Sequence, residues 1–215
     1  FSFCMCPGGF VVPASTEPEE LVVNGMSLSR RDSPFANSGL VVAIEPSDVE
    51  QAGFSGVLGG IELQRRIEQA AFAAGGGELA APATRVTDFL ARRSSSTLPA
   101  SSYIPGLTAT DVAPVLDAAG LKLSERLRAA LAAFERKLRG YRSEEAVLIG
   151  VESRTSSPVR VPRDPETLEA PGFPGLYPTG EGAGYAGGII SAALDGQRVG
   201  RAIAQLKGHT PEPRC

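Results

Sequence analysis

Three stretches of the chain carry residue types whose spacing could do chemistry. The first is "GLYPTGEGAGYAGGIISAALDG", residues 175–196, in which Gly182-Ala-Gly184-Tyr-Ala-Gly187 satisfies G-x-G-x-x-G ahead of an amphipathic run. Five glycines, Gly180, Gly182, Gly184, Gly187 and Gly188, fall within nine residues. Glycines there let backbone approach a ligand closely, and the first N–H groups of the following helix carry partial positive charge. Glu181 adds a carboxylate that could accept hydroxyl protons. The plain structural alternative is that these glycines only let the helix pack tightly. The second stretch is Cys4-Met5-Cys6, followed by Pro7-Gly8-Gly9. Two thiols one residue apart face the same side of a regular strand, where they act either as small buried hydrophobes or, with a lowered pKa, as redox-active or nucleophilic groups. The third is Arg154-Thr155-Ser156-Ser157, four polar residues in one turn between apolar runs. They suit a ring, a phosphate or an anionic substrate, or else form an ordinary polar turn. Arg31 and Asn37 are weaker candidates on the substrate side.

Other chemistries are poorly provided for. The one histidine, His209, sits in a polar tail, so triad hydrolysis and a four-donor zinc site are not expected; no metal is. A net charge of −3 offers no broad footprint for nucleic acid or anionic membrane. No apolar run reaches the roughly 20 residues of a membrane span, and the first residues do not read as a signal peptide. Three cysteines make no disulfide framework, which points to a reducing, cytoplasmic setting. The chain opens without Met and directly on a β-like run, the pattern expected of a piece of a longer protein.

The elements that must position these residues are readable from period and punctuation. Val-rich runs at 9–15, 20–27 and 38–48, parted by Pro, Gly, Asn and charges, predict strands. The spacing of Leu58, Ile61, Ile67, Ala71 and Ala74 predicts a helix over 56–74, ended by Gly75-Gly76-Gly77. Residues 81–90 carry no clear period, and 93–108 read as a Ser/Pro-rich loop. A short helix follows from Thr110 to Ala119. Leu123, Leu127, Leu131, Phe134 and Leu138 predict another helix. Strands are expected at 146–153, 158–164 and 174–179. The last helix is expected from about Tyr185 to Leu206, with Ile189, Ala192, Ala193, Val199, Ile203 and Leu206 buried and Asp195, Arg198, Arg201 and Gln205 outward. The resulting organisation is α+β: a body over 1–141, and a β-rich piece closed by a helix over 142–215, too small to bury its own core.

As the opening of a dinucleotide-binding βαβ unit, the G-x-G-x-x-G match fails. Such a unit needs a second parallel strand after the helix and an acidic residue about 20 positions on, and the last helix takes up most of the 28 residues after Gly187. The stretch 175–196 instead resembles the carboxy-terminal flavin motif of the two-dinucleotide-type FAD oxidoreductases. "FSFCMCPGGFVV", "VVNGMSLSRRDSPFANSGLVV" and "VESRTSSPVRVPRD" together are similar to the bacterial FAD-dependent (NAD/FAD-utilising) dehydrogenases. These motifs lie in the first fifty and last seventy residues; the middle, about 54–140, carries none. The resemblance implies a parent whose amino-terminal half supplies the FAD-binding βαβ unit. This chain would then be an antiparallel or mixed β substrate (cap) domain with helices, followed by the last strands and helix of the FAD-binding α/β domain. It implies Glu181 at the ribityl chain, although that family more often has Asp there. Backbone N–H groups of Gly187, Gly188 and Ile189 would lie near the flavin pyrimidine edge, with Tyr185 flanking the ring. FAD is the implied cofactor, a nicotinamide, NAD(P), a possible electron partner, and the substrate a small molecule the sequence does not specify. The alternative is a non-catalytic α+β binding or interaction module whose glycine loop is a packing device.

Overall fold

The computed structural model describes residues 1–206 and 208; His209, weighed above as a ligand, and the third cysteine, Cys215, lie outside the described residues. The chain is α+β and divides into two compact units, Phe1–Ser153 and Arg154–Cys215. The break falls after Ser153, not near 141, because a strand beyond 141 pairs back into the first unit.

Three small sheets build that unit. β1 (Ser2–Pro7) pairs antiparallel with β4 (Ala36–Leu40), and β2 (Gly9–Pro13) pairs antiparallel with β3 (Val23–Ser27). In the third sheet β5 (Ala81–Arg85) is central, flanked by β6 (Leu107–Ala109) in parallel and β7 (Val147–Ile149) antiparallel. Five of the six helices among the described residues belong here: α1 (Pro46–Gln51), α2 (Gly59–Gly75), α3 (Val86–Leu90), α4 (Ala113–Leu116) and α5 (Leu123–Lys137). The sixth, α6 (Ile189–Leu206), closes the second unit.

The helical periods produce the core. Leu63, Ile67 and Ala71 of α2 pack with Leu21, Val23 and Val151, and α2 stops where Gly76 takes the left-handed conformation at φ 112°. Leu127 and Leu131 of α5 pack with Val86, Phe89 and Val112 in a second cluster. Burying each such side chain is worth roughly 1.5–3 kcal/mol, so these two helices anchor the unit.

Several expected elements differ. The strand predicted over 38–48 ends at Leu40, because Pro46 begins α1 and Glu45 and Asp48 form a capping box there. The strands predicted at 158–164 and 174–179 are absent. Pro158, Pro162, Pro174 and Pro178 remove ladder donors, and the backbone is held by isolated bonds between segments such as Val161 N–H to Ala183 O, 3.1 Å. Conversely β5, with Pro82 and two alanines, lacks the β-branched signature yet is the centre of its sheet. Among the described residues no helix is long and apolar enough to cross a membrane.

Candidate functional site

The glycine loop of the second unit is held at both ends. At its entrance Gly180, with φ 73°, donates its N–H to Asp195 Oδ2 at 2.9 Å. At its exit Tyr185 N–H bonds Gly180 O at 2.9 Å, so the loop closes on itself, and within it Gly184 N–H bonds Glu181 O at 2.9 Å. The turn rests on the 157–161 segment: Ser157 Oγ donates to Gly182 O at 3.2 Å and Arg160 Nε to Gly184 O at 3.1 Å. Tyr185 Oη donates to Val161 O at 2.9 Å. Its ring lies 3.6 Å from the Arg163 guanidinium and 4.6 Å from that of Arg160, both cation–π contacts.

Asp195 was expected on the solvent side of α6; the structure corrects this. Its Oδ1 accepts Arg163 Nη2 at 2.6 Å and its Oδ2 accepts Nη1 at 3.0 Å, with the two side chains 10% and 5% exposed. Asp195 precedes the buried Val199 by four residues and so shares its face; that spacing was the available signal. Arg163 holds the Asp195 carboxyl down at about 2, against an ordinary 3.8, helped by the Gly180 N–H. Because the folded pKa lies below the unfolded one, the pair stabilises above about pH 4, and that stability is lost as pH falls through about 2. The shift corresponds to roughly 2 kcal/mol. Denaturant unfolding between pH 6 and pH 2 should therefore show a fall in stability that Asp195→Asn flattens.

The five glycines serve different purposes. Gly180 and Gly184 take left-handed backbone, and a Cβ on Gly184 would stand 2.6 Å from Val159 O. Gly182, Gly187 and Gly188 need no left-handed conformation, and a Cβ on any of them would meet nothing within 4 Å. Left-handed backbone, with close packing at Gly184, explains the first two and leaves the other three open. Glu181 and Gly182 are exposed at the tip, as is Gly187. α6 starts at Ile189, not Tyr185, and Ser191 Oγ accepts the Gly187 N–H at 3.3 Å. Most of the stripe expected to be buried on α6 is not: Ile189 is 89% exposed, and only Val199 among them is buried.

Of the polar turn, Ser157 reaches the glycine loop; Arg154, Thr155 and Ser156 precede it in the same bend. Cys4 and Cys6 lie in the first unit. β1 carries a bulge: Phe3 pairs with Gly39 and Cys6 with Asn37, so three steps on β1 match two on β4. Phe3 and Cys6 therefore share a face, and the same-side arrangement expected of the two thiols is broken. Cys4 is exposed at φ 50° and Cys6 is half-buried, so neither is the fully buried thiol that the sequence suggested.

On the Phe3–Cys6 face two signature stretches meet at one side chain, Asn37. Asn37 Nδ2 donates to Phe10 O at 3.0 Å. The amide lies over Gly9 and Gly25, where a Cβ would stand 2.8 and 2.3 Å from it, and Asn37 Oδ1 is buried without a hydrogen-bond partner. Glu152 projects over Gly39 beside the Phe3 ring, and burial raises its carboxyl above the ordinary glutamate value. Sequence reasoning missed Glu152, Arg160, Arg163 and Asp195.

A protein of Clostridium beijerinckii, named only as an uncharacterized protein, is 46% identical over 206 residues, covering 95% of this chain. The chain spans 38% of that relative's length. Residues 1–155 match the family model described as FAD-dependent protein, C-terminal domain-like. With most of its length matched in this way, the chain belongs to the FAD-dependent protein, C-terminal domain-like family.

Proposed function

We propose that this chain is the carboxy-terminal part of an FAD-dependent oxidoreductase, and that its loop from Gly180 to Ile189 forms part of the flavin site. The observation that carries the reading is the open space at Gly182, Gly187 and Gly188. Glycine costs a helix or an ordered turn about 0.5–1 kcal/mol relative to alanine, and nothing in this chain needs its small size there. A ligand or partner backbone approaching the loop does.

In this reading Gly188 and Ile189 present backbone N–H groups at the start of an 18-residue helix, where negative charge is stabilised, and the Gly187 N–H joins them by exchanging its long 3.3 Å bond to Ser191 Oγ for the ligand. Glu181 accepts a ligand hydroxyl, and Ser157 and Arg160 hold the turn that carries it. FAD, when bound, supplies hydride or electron transfer between a nicotinamide and a small-molecule substrate. The remainder of the polypeptide supplies the other contacts to the cofactor. It also covers the apolar residues that α6 leaves open, Ile189, Ile190 and Leu194, which are 60–89% exposed. Cys4, at a strained bulge position, is the thiol available for electron or substrate chemistry, and Arg154, Thr155 and Ser156 add polar groups to the turn that leads to Ser157.

The test is FAD titration of the full-length apoprotein. Glu181→Ala should weaken binding by about 10- to 150-fold, the loss of one charge-assisted hydrogen bond. Unchanged affinity would remove Glu181 from the site.

A further inference from the structure

Asp195 and Arg163 do more than join α6 to the preceding segment. Asp195 takes the Gly180 N–H at 2.9 Å and the Thr179 hydroxyl at 3.4 Å. Arg163 Nη1 donates to Pro178 O at 2.7 Å while its guanidinium covers the Tyr185 ring. One ion pair thus grips three consecutive residues at the loop's entrance and the residue at its exit. A buried ion pair is weak in stability terms, since desolvation offsets most of the attraction, and apolar replacements of like volume are often neutral. Its directional hydrogen bonds, by contrast, specify geometry that apolar groups do not.

We propose that Arg163 and Asp195 are positioning residues, a latch that sets the Gly180–Gly188 loop in the conformation that receives the flavin. The proposal rests on the flavoprotein reading given above. The latch acts through Gly180: with Asp195 in place its N–H is bonded to an α6 side chain, which fixes the residue that precedes Glu181. Removing the carboxylate frees the Gly180 N–H and the Thr179 hydroxyl and leaves a buried guanidinium without its partner.

Two variants test this, Asp195→Ala and the apolar double replacement Arg163→Met with Asp195→Leu, the second chosen because it leaves no uncompensated charge. Amide exchange at Gly180 is followed by NMR in this chain, and FAD affinity is measured in the full-length apoprotein. Both variants should speed Gly180 exchange by at least about tenfold and weaken FAD by a similar factor, with the double variant melting no lower than wild type. Unchanged exchange would overturn the latch. Faster exchange with unaltered FAD affinity, in a protein whose wild type binds FAD, would overturn its positioning role and leave an ordinary ion pair. A wild-type full-length protein that binds no FAD would instead overturn the reading on which the proposal rests.

Discussion

Replacing Gly188 with valine should leave the melting temperature of this chain within a few degrees of wild type, yet nearly abolish FAD binding in the full-length protein. The two halves of that expectation have separate causes. A Cβ at 188 would meet nothing within 4 Å in this chain, and the position needs no left-handed backbone, so a small apolar side chain there should be compatible with folding. The same side chain would occupy the space through which a ligand reaches the first backbone N–H groups of α6. Loss of that approach should lower affinity by more than about 100-fold, or roughly 2.7 kcal/mol. Titrating apoprotein with FAD beside a melting curve of the same variant checks both halves at once. A variant that binds FAD normally would show that the open glycine faces something else.

Gly8→Ala should have the opposite character, destroying the first unit without any ligand being involved. Gly8 turns the chain between β1 and β2 at φ 62°, and a Cβ there would lie 1.9 Å from the Arg31 carbonyl oxygen. The obstructing atoms, the Arg31 carbonyl oxygen and carbon, are backbone and cannot rotate aside. The 28–35 segment is also fixed in place, with Phe35 O accepting Gly9 N–H at 3.0 Å and Ser33 Oγ donating to Gly9 O at 2.7 Å. Left-handed strain and an unrelievable overlap together should cost on the order of 3–5 kcal/mol, a large share of a domain's stability. Urea unfolding of the variant should show a midpoint far below wild type. A midpoint shift smaller than the equivalent of about 1 kcal/mol would mean that the turn relaxes in a way its hydrogen bonds argue against.

How much of this was readable beforehand follows from what each signal depends on. α2 and α5 were legible because their buried residues repeat at the helical period, a purely local property. β5 was not, since alanine and proline have no strand propensity and the strand exists only because β6 and β7 pair with it from distant positions. The strands expected at 158–164 and 174–179 failed for a local reason that was visible: two prolines in so short a stretch remove donors a ladder needs. In the site, the glycine loop stood out by composition. The residues that hold it did not, because an aspartate and an arginine 32 residues apart each read alone as surface groups. The bulge at Cys4–Met5 likewise depends on the register against β4, which no spacing within β1 reveals. Asn37, weakly suspected from its motif, gains its place from two glycines on another sheet.

The central claim is that the glycine loop of this chain is one part of a flavin site completed by the rest of its polypeptide. The most direct measurement is the flavin released on denaturation, per polypeptide, from the purified full-length protein and from this chain alone prepared identically. The account predicts about one equivalent from the full-length protein, where the other contacts to the cofactor are present, and next to none from the chain alone. A full-length protein without flavin that also fails to take up added FAD would contradict it. So would stoichiometric flavin in the isolated chain.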